Sequence, residues 1–458
     1  MNLRIDQIRG RRKPSTANMN PVSESIFRSH LEAMHIPSIA SATIRQIMAL
    51  AARLEGEMGE PFVHLEMGNP GLPPQTIGIE AEREALRQGV AGVYPNIAGI
   101  PQLKQAGSEF LKAFLNVDIP PRCIVPTVGS MQATFTLFLL MGQRIPGRDT
   151  ILFLDPGFPA QHNQVKLLGL QSASVDIYDC RGAALEARLE EATASGKVSA
   201  IIYSCPNNPA WTNFTDEEFR IIARVAEKRD IIVIEDLAYL GMDFRQRFGC
   251  PYCEPYVPTI SRYTSNCVVL VSSSKIFSYA GQRIAMVCVP EPTADRRYEF
   301  FEKFYEMPTL LDAYIYGVLY CASSGTAHSA QHAFAAMLKA ATQGQLDFVA
   351  ECCEYGRRAN RAKALFDVNG FHLVYAKDGD QPVSDGFFFT TGYPGMTGDR
   401  LQSELLRYGI ATISLPSTGS RQQGVRVCVS MLSSEKDFER LARRLEQFRR
   451  DHPVNDPK

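Results

Sequence analysis

The segment running from Val271 through Ser272, Ser274 and Lys275 to Gly281 and Arg283 carries the most chemistry in the chain. A lysine stands at the end of an apolar run, behind small hydroxyl residues, with an arginine eight positions on. A buried amine beside a second cation has a depressed pKa and can form a Schiff base with a carbonyl near neutral pH. Pyridoxal 5'-phosphate would bring such a carbonyl to Lys275 and a phosphate to Arg283. The same lysine could instead lay its stem along the strand and keep its head in solvent. The segment alone leaves both readings open.

Four further segments bear on the choice. Gly129-Ser130-Met131 opens an apolar helix after Thr127. The free amides of a helix start, with the Ser130 hydroxyl, make an anion site, although an ordinary capped helix would look the same. Phe158 sits between Pro156 and Pro159 just past the strand-like run Ile151–Leu154. A rigidly held ring there can stack on a flat ligand or simply fill core. Pro206-Asn207-Asn208-Pro209 follows the run Ala200–Tyr203 and presents an amide where open α/β sheets bind ligands. Asp236 ends the most apolar run, and a carboxylate there is costly unless paired. A protonated pyridine nitrogen would pair it, and Tyr239 could then bond the ring's phenolic oxygen. Otherwise Asp236 caps the following turn.

The elements that must position these residues alternate. Strand-like runs at Ile151–Leu154, Ser174–Ile177, Ala200–Tyr203, Ile231–Ile234, Val268–Val271 and Ala285–Val289 are separated by helical stretches. The clearest is the helix from Asp216 to Lys228, opened by Thr215 with Glu218 three residues on, a capping box. Continuous apolar strands between helices predict an α/β fold: a mostly parallel central sheet covered by helices on both faces. A long helical stretch near 330–367, shorter strands at Phe387–Thr390, Thr412–Leu415 and Val425–Val429, and a charged helix from Glu435 to Arg449 predict a smaller α+β domain formed by the chain ends. The expected division is an N-terminal arm at 1–35, a small domain at 36–75 and 330–458, and a large cofactor-binding domain at 76–329. The arm, polar and broken by Pro14 and Pro21, is expected to be disordered when isolated.

With these residues in view, the chain resembles the class I/II aminotransferases, fold-type I pyridoxal-phosphate enzymes, from about residue 40 onward. The family's Asn-Pro-x-Asn-Pro-Thr-Gly motif matches Cys205 to Trp211, with the bonding asparagine at Asn208. Its Asp-x-x-Tyr matches Asp236 and Tyr239, and its Ser-Lys-x5-Gly-x-Arg matches Ser274, Lys275, Gly281 and Arg283. The resemblance implies that Arg426, on a late strand, binds the substrate carboxylate together with Asn208. It implies that Tyr94 reaches the phosphate held by a neighbouring subunit, so that a homodimer shares its active sites. The departures are Cys205 for the first asparagine, Ala210-Trp211 for Thr-Gly, and Ala285 for the glycine usual two positions after the arginine. The implied activity moves an amino group between an L-amino acid and a 2-oxo acid. Thr309 to His332 holds no Arg or Lys, and Met131 stands where some members have a lysine, so apolar or aromatic donors are favoured over acidic ones. Arg28 or Arg45 could still restore a dicarboxylate site. A C–S or β-lyase or synthase would use the same residues, and a non-enzymatic cofactor-binding regulator is the reading from a different class.

Composition narrows the partners. A net charge of −1 offers no long-range attraction to nucleic acid or an anionic membrane. No apolar run approaches the roughly 20 residues of a membrane helix. The basic cluster Arg9–Lys13 has no apolar core behind it, so no secretory signal is expected, and it reads as a solvated arm. The 11 scattered cysteines point to a reducing cytoplasm rather than a disulfide framework. Cys250-Pro-Tyr-Cys253 has redox or metal spacing but no second pair nearby, and reads as two loop cysteines. His328 and His332 share a helical face without a third ligand, so no metal site is expected.

Overall fold

The computed structural model describes residues 21–454. Its frame is a seven-stranded sheet in the order Ile124–Thr127, Ala285–Cys288, Cys267–Ser272, Ile232–Asp236, Val198–Ser204, Thr150–Asp155, Gln171–Asp176. Ala285–Cys288 runs antiparallel to both neighbours, and every other pairing is parallel. The apolar runs Ile232–Asp236 and Cys267–Ser272 are central and buried at every position, as strands covered on both faces must be. The expected doubly covered α/β sheet is therefore present. Ile124–Thr127 was not expected from the sequence. It is four residues long and contains Pro126, which the ladder tolerates because the strand lies at the edge.

Register brings the strand ends together. Ser204 pairs with Asp236, and Asp236 with Leu270, two residues before Ser272. The loops that follow these strands leave from one edge of the sheet, the edge open α/β sheets use for ligands.

The chain ends build a second unit. Its antiparallel sheet has the order Ile413–Ser414, Val425–Cys428, Phe388–Gly392, His372–Leu373. Val63–His64 pairs in parallel with Ile410–Ala411 and so ties the early chain to the late one. The packing changes hands inside one helix rather than at residue 330. In Phe348–Asp367, Phe348, Val349, Cys352 and Tyr355 join the large core, whereas Ala359, Ala362 and Phe366 join the second. The helix His328–Thr342, ahead of it, packs wholly into the large core.

A helix also covers Glu24–Ala33, within the segment expected to be an arm. Ser23 caps it and Phe27 alone is buried from it, against a cluster that includes Ile47 and Leu50. One buried aromatic gives no period to read, which is why the sequence does not announce it. Residues 1–20, with the Arg9–Lys13 cluster, lie outside the described residues. Thr43 caps the helix Ile44–Met58, in a reciprocal capping box with Gln46.

Trp211 shows how tightly the two units meet. It adopts φ of +63°, where the aminotransferase motif has glycine, and a left-handed non-glycine residue costs roughly 1–2 kcal/mol. It is nonetheless fully buried, which returns about 3 kcal/mol or more. Its ring fills the space above Gly386, where any β-carbon would collide with it. Gly386→Ala should therefore lower unfolding stability by about 1–3 kcal/mol, the usual cost of overpacking. Denaturant titration followed by the fluorescence of Trp211, the only tryptophan, measures it directly.

Candidate active site

Lys275 lies in a one-turn helix, Ser273–Ile276, immediately after the strand Cys267–Ser272. Ser272 caps that turn: its hydroxyl accepts from the Ser274 amide (3.2 Å) and donates to the Ser274 hydroxyl (3.0 Å). The lysine is not solvated at its tip. Its ammonium donates to the Gly68 carbonyl and sits 5.5 Å from the Phe387 ring centroid. Burial lowers its pKa to about 8, with Arg283 and Arg426 adding to the effect and the Cys428 thiol opposing it. The side chain is half-buried, with its amine turned onto the Gly68 carbonyl.

Arg426 comes from the strand Val425–Cys428 in the small sheet, registered against Thr390 and Ile413. It is buried, and its hydrogen bonds go to neutral oxygens: Asn208 Oδ1 (3.2 Å) and the Glu66 carbonyl. Its guanidinium lies 4.7 Å from the Phe388 centroid, and its Nε is buried without a partner. Burial pulls its pKa down. Glu66 and Gly68 thus form a strap whose carbonyls receive both cations. Neither residue was singled out from the sequence, because a backbone acceptor leaves no trace in residue type.

Asp236 is buried, and burial raises its pKa to about 6. The Ala238 amide and Gln161 Nε2, the latter 3.3 Å from Oδ2, oppose that rise. Gln161 thus holds one oxygen of the carboxylate. Yet its Oδ1 has no partner. Gln161 was not foreseen: it lies on the helix Pro159–Leu167, which Phe158 caps, and a neutral amide in a helix carries no chemical signal. Tyr239 is buried among Trp211, Phe387 and Phe388, with centroids 5.3, 5.5 and 5.4 Å away, and burial pushes its hydroxyl pKa up.

At the anion site, Gly129 (φ +68°) starts the helix Gly129–Arg144. A β-carbon there would run into the Arg283 guanidinium, which brings the predicted arginine to the predicted helix start. Ser130 Oγ is buried without a partner. The Met131 carbonyl accepts from Gln164 Nε2 (2.7 Å), which ties this helix to the one behind Phe158. Tyr94 stands apart from these groups, 90% exposed, on a segment held by Lys104 at the Ala98 carbonyl (2.7 Å) and by His328 at the Val93 carbonyl (3.2 Å).

The cluster can hold a flat ring with a cationic nitrogen at Asp236 and an anionic tail at Gly129, Ser130 and Arg283. A carbonyl could then react with Lys275 and a carboxylate could pair with Arg426. No group of three or more metal-ligating side chains occurs among the described residues, and none of their helices is long and apolar enough to cross a membrane. A cavity of about 840 Å³ shares the Cys205–Asn213 loop but offers less chemistry. Its Arg181 is already paired with Glu218 and Asp378, and its Arg245 with Asp243 and Asp378.

The depressed Lys275 pKa has a sign. The folded protein binds fewer protons than the unfolded chain between about 8 and the ordinary 10.5, so this group's cost is fully present below about 8 and is relieved as pH rises through that window. The reactive neutral amine follows the same curve. Covalent loading of a carbonyl cofactor should quicken about tenfold per pH unit below about 8 and level off above it. Stopped-flow absorbance checks this, and a profile still rising steeply above pH 9 would contradict the burial argument.

The sheet, the small antiparallel unit and the residues at their junction define a fold-type I α/β architecture. Residues 60–445 match the family described as aminotransferase class I and II, and the chain belongs to that family. An aspartate aminotransferase of Pyrococcus horikoshii is 24% identical over 263 residues, 57% of this chain and 63% of that protein. Nicotianamine aminotransferase 1 of rice (Oryza sativa subsp. japonica) is 27% identical over 53% of this chain, and the match spans 48% of its own length. These matches therefore reach only about half to two thirds of the relatives' lengths. A Thermus thermophilus aspartate aminotransferase double mutant superposes with a TM-score of 0.70 at 22% identity, covering 89% of this chain and 96% of that one, a likeness of fold.

Proposed function

We propose that the protein is a pyridoxal-phosphate-dependent aminotransferase, moving an amino group between an L-amino acid and a 2-oxo acid. The observation that carries this reading is a half-buried Lys275 and a buried Arg426, both resting on neutral carbonyls of one strap, while a buried Asp236 oxygen lacks a partner.

Pyridoxal phosphate fits what these residues lack. Asp236 would pair with its ring nitrogen, Asn208 and Tyr239 would bond its phenolic oxygen, and Phe158 would cover its face. Gly129, Ser130, Met131, Ser272, Ser274 and Arg283 would hold its phosphate, with Tyr94 from the neighbouring subunit. When bound, it supplies a carbonyl that captures amines and a ring that withdraws electrons.

The chain's own residues do the rest. Arg426 exchanges neutral acceptors for the substrate α-carboxylate, which gives it a bidentate, charge-assisted pair away from water. Asn208, already against Arg426, fixes that guanidinium's plane. Lys275 would take the α-proton at Nζ and give it up at the carbon that was the cofactor's carbonyl; a pKa near 8 suits both directions close to neutral pH. Asp236, ionised once a cation faces it, holds the negative charge that keeps the ring nitrogen protonated.

Phe387 and Phe388 beside the two cations, together with Met131, support apolar or aromatic donors. A dicarboxylate reading rests on one contact: Arg45 Nη1 lies 4.0 Å from Met67 Sδ, next to Gly68 in the strap. Arg28 is already paired with Glu24. The exposed Tyr94 and Val93 support a homodimer with shared sites, and free cysteines throughout the described residues support a cytoplasmic location.

An amino-donor screen with 2-oxoglutarate as acceptor tests the reading. Keto-acid formation with ping-pong kinetics is expected, fastest with apolar or aromatic donors. Ammonia and pyruvate release would move the assignment to a lyase, and cofactor binding without any turnover would move it to a regulator.

A further inference from the structure

The Cys250–Cys253 loop serves none of the chemistry above, and the structure gives it a defined shape. Both thiols are exposed. Pro251 and Tyr252 are the corners of a turn, and Tyr252 has φ of +59°. Proline at the first corner and positive φ at the second make a type II turn, whose ends lie within about 7 Å. A disulfide needs α-carbons roughly 4.4–6.8 Å apart, so the turn already supplies the spacing.

The turn is held from both sides. The Tyr252 amide donates to the Ala113 carbonyl (2.7 Å) and the Val257 amide to the Phe114 carbonyl (2.9 Å). Gly249 packs so closely on Asp347 that a β-carbon would collide with that carboxylate. One anchor lies inside the turn and the others on either side of it, and both cysteines are exposed, so ring closure needs no core residue to move. The Cys250 thiol donates to the Pro251 carbonyl (3.9 Å) and lies above its ordinary pKa, chiefly through its neighbour Cys253, while Arg247 acts in the opposite sense.

We propose that Cys250 and Cys253 form a dithiol site that closes reversibly to a disulfide by exchange with small disulfides of the glutathione class. The Cys253 thiolate attacks one sulfur of oxidised glutathione, whose S–S bond breaks as a mixed disulfide forms and one glutathione thiolate leaves. Cys250 then loses its proton to water and attacks the Cys253 sulfur. The protein S–S bond forms, and the second glutathione leaves and is protonated. Two protein thiols are oxidised while one oxidised glutathione becomes two reduced ones.

The site stands on its own loop and is independent of the aminotransferase reading. The test treats the cofactor-loaded full chain with oxidised glutathione, then maps peptides by mass. The 249–254 peptide of the wild type should lose two hydrogens, carry no glutathione, and return to the dithiol on reduction. Cys253→Ser should accumulate glutathione on Cys250, and Cys250→Ser on Cys253. Cys321, exposed and alone, is the internal control and should gain glutathione in all three proteins. A wild-type peptide that keeps both thiols while Cys321 reacts, or that holds stable glutathione on either cysteine, would overturn the proposal.

Discussion

Lys275→Ala is expected to lower turnover at least about 10³-fold, since proton transfer and covalent capture both pass through this amine. Its Nζ is the one amine in the cluster, taken out of water and lowered to about 8. Arg283 and Arg426 flank it, but guanidinium groups stay protonated and cannot substitute as bases. The Gly68 carbonyl would lose its donor, a change of about 1–3 kcal/mol that leaves the large core untouched. The variant should therefore fold, bind cofactor without covalent attachment, and yield no cofactor-labelled Lys275 peptide after borohydride reduction. Short primary amines added to the buffer should recover part of the rate, which a merely structural lysine would not allow. Turnover retained without added amine would sink the assignment.

How much of this was legible in the sequence differs from residue to residue. The strand ends before Asn208, Asp236 and Lys275 were readable because continuous apolar runs stop there, and a lysine or carboxylate at such a stop is chemically conspicuous. The Thr215–Glu218 capping box formed as its spacing predicts, with bonds of 3.2 Å and 2.9 Å. Gln161 was hidden because its importance lies in facing Asp236, and it is a plain amide in a weakly amphipathic helix. Glu66 and Gly68 were hidden because their carbonyls do the contacting. The handover between cores inside Phe348–Asp367 was hidden because both halves of that helix carry the same helical period.

Trp211 belongs to a third kind. It was visible as an odd residue in a recognisable motif, but its partner, Gly386, lies 175 positions away. The absence of a β-carbon at one site makes room for the ring at the other. That ring then backs both Tyr239 and Phe388, with centroids 5.3 and 6.0 Å away, so a loop of the large unit buttresses the surface on which Arg426 lies. Such coupling is a property of packing rather than of residue type.

Asp236→Asn carries the second large effect, an expected loss of about 10²–10³ in turnover. The change keeps the shape and the Ala238 and Gln161 neighbours but removes the charge that would hold a ring nitrogen protonated. Stability should move the other way. In the cofactor-free protein the Asp236 pKa is raised from 3.8 to about 6 by burial, so the folded state binds more protons than the unfolded chain in that window. Its contribution is present at low pH and is lost as pH rises through about 6. Asparagine does not titrate, so the cofactor-free variant should be as stable as the wild type or more so above that pH, and the difference between their stability profiles should bend near 6. Activity falling while cofactor-free stability holds or rises is the signature of a charge kept for a ligand, because a carboxylate retained for the fold would lose both together. Urea titrations from pH 4 to 8 on cofactor-free protein, alongside the cofactor dissociation constant of each form, separate the two.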